Sequence, residues 1–284
     1  MTIETDLRQA LERQQFRLRY QPVVNLHTGR MIGVEALVRW RHPELGLLAP
    51  SQFLPFAETT GLISSIGLWV IHSACMQWTA WRGLTKEPLR LAINLSARQM
   101  ESQDLSLKIA EIIRDTGVDA RSVDLEFNES ALMQFGQANS QRIAALRALR
   151  VGLVLDDFAT GYSSLEHLER YSIRRIKIDR SFTAAIEHDQ ECALQIKSTM
   201  EMAHEMGMTV IAEGIETIRQ AEILRDFGCD EGQGFLTGQP VSAEEIDAIL
   251  RSSAGLSPPT DDDAGARPPP RTPGASSLKL VKRT

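Results

Sequence analysis

Short apolar runs alternate with longer amphipathic segments through most of the chain. Runs of about four to eight apolar residues between turn-forming residues are typical of buried strands, and apolar residues three and four positions apart are typical of helices. The pattern predicts strands at residues 16–20, 31–38, 89–95, 123–127, 152–155, 175–178, 209–212 and 232–235. It predicts helices that include residues 62–81, 105–115, 140–149, 191–206 and 217–227, with a short amphipathic helix around Leu7 and Leu11.

This regular alternation of strand and helix predicts an α/β fold with a parallel sheet. About eight strands in about 250 residues favour a closed (β/α)₈ TIM-like barrel. An open doubly wound sheet is the structural alternative. No GxGxxG or GxxxxGK[ST] sequence follows a predicted strand, so the phosphate-binding loops typical of nucleotide-binding open sheets are missing and the barrel is favoured.

The last part of the chain has a different composition. From residue 252 onward, prolines are interleaved with Gly, Ser, Thr and a run of three aspartates at 261–263. This composition is typical of a disordered segment. We therefore expect one domain over residues 1–251 and a proline-rich disordered tail over residues 252–284.

Composition limits the classes of partner. The chain has 284 residues, 43% of them hydrophobic, and a formal net charge of −6. An acidic chain is a poor ligand for DNA or RNA, and no apolar run reaches the roughly 20 residues of a membrane span. The first 15 residues lack the order of a secretory signal, and three widely spaced cysteines suit a reducing compartment. We expect a cytoplasmic protein.

Polar residues interrupt or end almost every predicted strand. They are Glu35, Asn94, Glu126, Asp156, Asp157, Lys177, Asp179, Glu213 and Gln233. If the strands are parallel, these side chains converge on the carboxyl-terminal rim of the barrel, where barrel enzymes have their active sites. Taken singly, an acid at a strand end is often only a turn former or a helix N-cap.

Several carboxylates on one rim repel each other unless cations are bound. Oxygen ligands without a nearby His or Cys favour Mg²⁺ or Mn²⁺ over Zn²⁺. Asp156 is the best candidate to bridge two such ions, an arrangement that suits in-line attack on a phosphate ester. Lys177 is either a structural ion-pair partner, a group that holds the attacking water, or both, and Glu213 is the candidate general base.

Longer motifs surround these residues. They are YQPVV at 20–24, GVEALVRWRHP at 33–43, NLS at 94–96, DDFATGYSSL at 156–165, IKIDRSF at 176–182, VIAEGIET at 210–217 and GQGF at 232–235. In this order they resemble the bacterial EAL domain family of cyclic di-GMP phosphodiesterases, named for the residues Glu35-Ala36-Leu37. The resemblance covers about residues 5–250.

The resemblance implies a barrel that hydrolyses cyclic di-GMP to linear pGpG with two Mg²⁺ or Mn²⁺ ions, and a homodimer. Its implied metal ligands are Glu35, Asn94, Glu126, Asp156 and Asp157. Its implied catalytic residues are Glu213, Lys177 and Gln233. Its implied substrate contacts are Gln21, Leu37, Arg39 and Asp179, and Glu129 is the implied loop-stabilising acid.

Two positions depart from the family pattern. Asn128 stands where the family usually has Thr, and Ala159 stands where it usually has Gly. Neither change removes an implied metal ligand. The alternative functions are a catalytically weak or inactive cyclic di-GMP receptor that signals to a partner, and a metal-assisted barrel enzyme that acts on an organic acid.

Overall fold

Eight strands close into a ring in which each strand hydrogen-bonds to two neighbours. The structure, a computed structural model, describes residues 3–85, 88–128, 131, 136–158, 168, 171 and 173–254. The strands, in chain order, are β1 (Phe16–Asn25), β2 (Met31–His42), β3 (Gly46–Leu48), β4 (Arg90–Asn94), β5 (Val123–Asn128), β6 (Gly152–Phe158), β7 (Arg175–Ile178), β8 (Thr209–Ala212) and β9 (Glu231–Gly232). The ring order is β1-β9-β8-β7-β6-β5-β4-β2, and β3 pairs only with β2 at its edge. The predicted TIM-like barrel is confirmed.

Helices follow most of the ring strands and cover the outside of the barrel. They are α1 (Ile3–Ala10), α2 (Pro50–Thr60), α3 (Leu62–Trp81), α4 (Ala97–Met100), α5 (Leu105–Thr116), α6 (Gly136–Ala148), α7 (Arg180–Ala185), α8 (Gln190–Glu205), α9 (Ile218–Asp226) and α10 (Ala243–Ala254). Among the residues described, none of these helices is both long and apolar enough to cross a bilayer. Helix α10 includes residues 252–254, and the rest of the predicted tail lies outside the described residues.

The first strand runs against the predicted direction. Strand β1 is antiparallel to both of its neighbours, β2 and β9, while the pairs from β2 through β4 to β9 are parallel. The cause is the short connection at residues 26–30, where Asn25 bonds the backbone of Thr28 and Gly29 adopts a φ of 69°. A parallel pair needs a crossover of a dozen or more residues. The expectation of a wholly parallel sheet was therefore wrong at this strand.

Alternate residues of each strand face opposite sides of the barrel wall. In β5, Val123, Leu125 and Phe127 belong to the apolar core, while Asp124 and Glu126 are buried polar residues that form ion pairs across the barrel. The main core therefore lies between the barrel and its helices. A second small cluster of Val23, Val154 and Ile211 fills part of the interior. The polar residues that interrupt the apolar runs are those on the inner face.

The last strand is shorter than predicted. Strand β9 ends at Gly232, and residues 234–237 form a turn in which Thr237 bonds the backbone of Gly234. A Cβ at Gly234 would lie 2.2 Å from the backbone of Ile215. Only glycine allows this close approach, so the chain turns across the barrel mouth directly after Gln233.

Candidate active site

Every strand of the ring brings one polar side chain to the same mouth of the barrel. They are Gln21 on β1, Glu35 on β2, Asn94 on β4, Glu126 on β5, Asp156 on β6 and Lys177 on β7, with Glu213 directly after β8 and Gln233 directly after β9. Gln21 reaches this mouth although its strand is antiparallel, because it pairs directly with Glu35. The predicted convergence of these residues on one rim is found in the structure.

Lys177 lies at the centre of the carboxylates. Its Nζ atom is 2.5 Å from Glu213 Oε1, 2.9 Å from Glu126 Oε2, 3.3 Å from Glu35 Oε2 and 3.9 Å from Asp156 Oδ1. The Lys177 side chain is 1% exposed. One ammonium group therefore faces four carboxylates in a poorly hydrated pocket, and the pocket retains an excess of negative charge when all four are ionised.

Amide side chains hold Glu35 in place from two sides. Asn94 Nδ2 donates to Glu35 Oε1 at 2.6 Å, and Gln233 Nε2 donates to Glu35 Oε2 at 2.7 Å. The same Gln233 nitrogen is 3.0 Å from Gln21 Oε1. Gln21 in turn donates to the carbonyl of Gly238 at 3.1 Å. These contacts fix the direction of the Glu35 carboxylate, which cannot rotate freely inside the barrel.

A second group of acids lies at the outer part of the mouth. Asp156, Asp157 and Glu213 each place a carboxylate oxygen within 4.8 Å of the others. Asp157 adopts a φ of 55°, and its backbone N–H donates to Asp156 Oδ1 at 2.9 Å. Such a left-handed backbone is uncommon for a residue other than glycine and turns consecutive aspartates toward one point. Oxygen donors at this spacing suit a hard divalent ion.

Burial and charge shift the pKa values of the central groups. Burial, with repulsion from Glu35 and Asp156, raises the pKa of Glu126 well above its ordinary value. Burial and the same two neighbours raise the pKa of Glu213 to about 7. Burial opposes the charge of Lys177, but the surrounding carboxylates raise its pKa well above normal.

The pKa of Glu35 moves the other way. Burial acts to raise it, but Lys177 and the hydrogen bonds from Gln233 and Asn94 lower it below its ordinary value. Glu35 therefore loses its proton more readily than an ordinary glutamate, while Glu126 and Glu213 hold protons more tightly. A bound cation would relieve this shortage of positive charge.

A cavity of about 380 Å³ opens beside the acids. Leu37, Leu54 and Ile63 contribute to an apolar wall, and Asn94, Asn128, Asp156 and Asp157 line the polar side. An apolar wall opposite a few directed polar groups is typical of sites for organic ligands with a polar end.

Glu35, Leu37 and Arg39 lie two positions apart on β2 and therefore share one face of the strand. Arg39 donates to the carbonyl of Val38 at 2.9 Å and forms no ion pair among the residues described. Burial and the nearby Arg19 lower the pKa of Arg39 from its ordinary value. An unpaired, half-buried guanidinium is well suited to an anionic ligand.

Two further predicted positions have visible structural contacts. Asp179 Oδ1 accepts a bond from the backbone of Ser181 at 2.9 Å and is the N-cap of α7. Asn128 Oδ1 accepts a bond from the backbone of Ala131 at 3.1 Å, so this amide connects the end of β5 to Ala131. Glu129 and Ala159 lie outside the described residues, and the predictions about them stay predictions.

A polar network below the mouth was not singled out from the sequence. Asp124 lies 2.6 Å from Arg175 Nη1 and 4.0 Å from Arg90 Nη1, and Arg90 also pairs with Glu231. Asp124 and Arg175 each precede a site residue, Glu126 or Lys177, by two positions. Residues two positions apart on a strand face the same side, so Asp124 shares the inner face with Glu126, and Arg175 shares it with Lys177. This spacing is the sequence signal that could have identified Asp124 and Arg175.

Residues 4–240 match the model of the EAL domain family. The chain belongs to the EAL domain family. The bifunctional diguanylate cyclase/cyclic di-GMP phosphodiesterase MucR of Pseudomonas aeruginosa is 42% identical over 241 residues, which are 85% of this chain and 35% of MucR. A second Pseudomonas aeruginosa protein, named as a cyclic di-GMP phosphodiesterase, is 39% identical over 251 residues, which are 88% of this chain and 43% of that protein.

Solved structures show the same fold. A PaMucR phosphodiesterase structure in complex with c-di-GMP is similar with a TM-score of 0.83 and 41% identity, over 87% of this chain and all of that one. The EAL enzyme Bd1971 with cAMP and cyclic di-GMP bound is similar with a TM-score of 0.83 and 32% identity, over 87% of this chain and 68% of that one. The chain spans between 35% and 43% of the length of three curated relatives that it matches.

Proposed function

We propose that this protein hydrolyses cyclic di-GMP to linear pGpG with the help of two Mg²⁺ or Mn²⁺ ions. The observation that carries the proposal is the complete ring of side chains around Lys177, in which four carboxylates lie within 4 Å of one ammonium nitrogen. Family membership and the names of the relatives support cyclic di-GMP as the substrate.

The donor set fits two hard cations. Glu35, Asn94, Glu126 and Asp156 would hold one ion, and Asp156 with Asp157 the other. The donors are all oxygens. Burial and repulsion from Glu35 and Asp156 raise the pKa of Glu126, and a bound ion would oppose this effect. Such a pair of ions, when bound, polarises the phosphate and lowers the pKa of a water.

The protein's own side chains then position the reactants and move a proton. Glu213, with a pKa of about 7, accepts a proton from the attacking water while the oxygen of that water forms a bond to phosphorus. The bond from phosphorus to the 3′-oxygen of one ribose breaks, that oxygen takes up a proton, and the ring opens to the linear dinucleotide. Lys177 remains protonated and offsets the negative charge that develops on the phosphate.

Three residues of the mouth are assigned to the substrate. Leu37 on the apolar wall of the cavity offers a surface for a base, Gln21 offers an amide, and Arg39 offers the unpaired guanidinium for a phosphate. Asp179 is assigned as a fourth substrate contact, and its carboxylate also caps α7. Gln233 orients Glu35 and is assigned with the catalytic water.

The competing function is a receptor that binds cyclic di-GMP without hydrolysing it. A receptor does not need the ring of metal ligands, and this chain keeps all five implied ligand positions. Asn128 supports the backbone at Ala131 and so fills a structural role at the departure from the family pattern. These observations favour the hydrolase.

The test is hydrolysis by the purified protein with each metal ion. Anion-exchange chromatography should show pGpG formation with Mg²⁺ or Mn²⁺ and none with excess chelator. The Glu126→Gln variant, which keeps the shape of the side chain, should bind cyclic di-GMP in calorimetry and form no product. Binding without hydrolysis by the parent protein would establish the receptor instead.

The setting of the reaction is also part of the proposal. Cys75, Cys192 and Cys229 are all free, which supports a reducing cytoplasm as the site of action.

A homodimer, with the loop after β5 at its contact, is the assembly that the resemblance implies. Light scattering of the purified chain at several concentrations tests it, and a monomeric mass throughout would exclude it.

A further inference from the structure

A groove of about 320 Å³ opens at the amino-terminal end of the barrel, on the side opposite the acidic mouth. It lies where β6 and β7 begin. The side chains that line it include Arg121, Arg147, Arg150, Arg174 and Arg175. Five arginines around one concavity are unexpected in a chain whose net charge is −6.

Only two of these arginines are neutralised. Arg121 holds Asp119 with two bonds of 3.1 and 2.8 Å, and Arg175 lies 2.6 Å from Asp124. The other three, Arg147, Arg150 and Arg174, are exposed and form no ion pair with any residue that the structure describes. The groove therefore carries an excess of positive charge that its own carboxylates leave unbalanced.

Arg150, one of the three arginines without an ion pair, has a left-handed backbone. Arg150 follows α6 with a φ of 67°, and its N–H donates to the carbonyl of Arg147 at 2.8 Å. Glycine is the usual residue for a left-handed helix end, because a Cβ is strained there. The turn would be less strained with glycine at position 150, and yet the chain has an arginine there. Its guanidinium lies at the edge of the groove.

Gly152 keeps the floor of the groove open. A Cβ at this position would lie 1.9 Å from Asp124 Oδ1 and 3.0 Å from Arg175 Nη1. The absence of a side chain allows the Arg175 guanidinium to lie under the groove while it bonds Asp124. The groove thus has a fixed cation below and three unpaired cations at its rim.

We propose that this groove binds the phosphate chain of a small molecule with two or more phosphates. Guanidinium groups bind phosphate oxygens in pairs of parallel hydrogen bonds, and three unpaired arginines match the charge of a diphosphate or triphosphate. A concave volume of about 320 Å³ suits a small ligand better than a flat protein face does. The groove is about 13 Å along β6 from Asp156, so it is separate from the catalytic mouth.

The test is calorimetric titration with tripolyphosphate in the presence of a chelator, which prevents metal-mediated binding at the mouth. The parent protein should bind one equivalent, more weakly at about 200 mM KCl than at about 50 mM KCl. ATP and a decapeptide of glutamate are titrated in parallel. Tighter binding of ATP than of tripolyphosphate assigns the site to nucleotides, and equal binding assigns it to the phosphate chain alone.

The Arg150→Gly variant separates binding from folding. It removes one cation and also relieves the left-handed strain, so its Tm should be no lower than that of the parent while tripolyphosphate binding weakens by about tenfold. The double variant Arg147→Ser with Arg174→Ser should lose measurable binding. Arg114→Ser and Arg219→Ser are the matched controls, because each removes an exposed arginine elsewhere.

Three results would overturn the proposal. The first is equal tripolyphosphate affinity in the parent and the groove variants, and the second is an equal loss in the two control variants. The third is tighter binding of the glutamate peptide than of tripolyphosphate, which would make the groove a docking surface for an acidic protein segment. None of these results bears on hydrolysis of cyclic di-GMP, so failure here is distinguishable from failure of the proposed function.

Discussion

Lys177 Nζ lies 2.5 Å from Glu213 Oε1, and yet the pKa of Glu213 is raised to about 7. Burial, together with repulsion from Asp156 and Glu35, outweighs the attraction of the lysine. One ammonium group shared among four carboxylates cannot neutralise each of them. This shortage of positive charge links the stability of the mouth to its chemistry.

Replacing Lys177 should destabilise the fold. The Lys177→Met variant leaves Glu126 and Glu35 buried without their counter-charge, which costs about 3 to 5 kcal/mol of unfolding free energy. Urea denaturation measures it. Lys197→Met is the matched control, since its pair with Glu201 is exposed and 3.9 Å long, and it should change stability by less than about 1 kcal/mol. Equal effects of the two changes would contradict the central role of Lys177.

The metal-free protein should lose stability as the pH rises from about 5 to about 7. Glu213 holds its proton more tightly in the folded chain than its ordinary pKa of 4.5 allows in the unfolded chain. Folding therefore takes up a proton in this window, and the contribution lost across it is on the order of 3 kcal/mol. Thermal melts in chelator at each pH measure the slope.

Two variants test the source of that slope. Glu213→Gln does not titrate at this position and should make the decline shallower, while Glu222→Gln, an exposed surface change, should leave it intact. Saturating Mg²⁺ should reverse the slope, because the ion binds the deprotonated acids. A decline as steep in Glu213→Gln as in the parent would assign the proton to another group, of which Glu126 is the first candidate.

Removing the charge of Asp157 should weaken metal binding without harm to the fold. Asparagine tolerates the left-handed backbone that this position requires, with a φ of 55°. Burial and repulsion from Asp156 raise the pKa of Asp157, so Asp157→Asn should leave the Tm in chelator equal or higher. The Mn²⁺ concentration for half-maximal hydrolysis should rise by at least about tenfold. Asp115→Asn, on the surface, should alter neither quantity.

Arg39 should act on substrate binding more than on turnover. Its guanidinium has no ion-pair partner among the described residues and is assigned to a phosphate. Loss of one charge-assisted contact in Arg39→Ala should raise KM for cyclic di-GMP by about tenfold, with kcat reduced less. Initial-rate kinetics separate the two constants, with Arg114→Ala as the control for a lost surface charge. A fall in kcat at constant KM would place Arg39 in the chemical step.

Much of the barrel could be predicted because its outward face is apolar. Runs such as the one around Leu125 pack under the helices and show clearly in the sequence. The direction of β1 was not recognised, although the short connection after Asn25 already excludes a helical crossover. The length of β9 depends on the close approach of Gly234 to Ile215, a tertiary contact that no local pattern shows.

The mouth was predictable for a different reason. Each ring strand, or the residue directly after it, contributes a polar side chain there, and β6 contributes both Asp156 and Asp157. The interruptions of the apolar runs therefore mark the site residue by residue. The pattern does not predict how deeply each of these side chains is buried. Lys177 and Glu126 are almost fully buried while Glu213 is 21% exposed, and this difference follows only from the closed ring. The sequence pattern did not single out the polar network below the mouth, around Asp124, because its residues lie at the beginnings of strands and not at their ends.

Hydrolysis is tested most directly by a product analysis of purified protein incubated with cyclic di-GMP and either Mg²⁺ or Mn²⁺. We expect time-dependent formation of pGpG, complete loss of activity with chelator and recovery when the ion is restored. Excess Ca²⁺ should inhibit, because its looser coordination positions water poorly. Cyclic di-GMP that stays intact with both ions, while the protein is folded and binds it, would show that the ring of acids around Lys177 does not hydrolyse this dinucleotide.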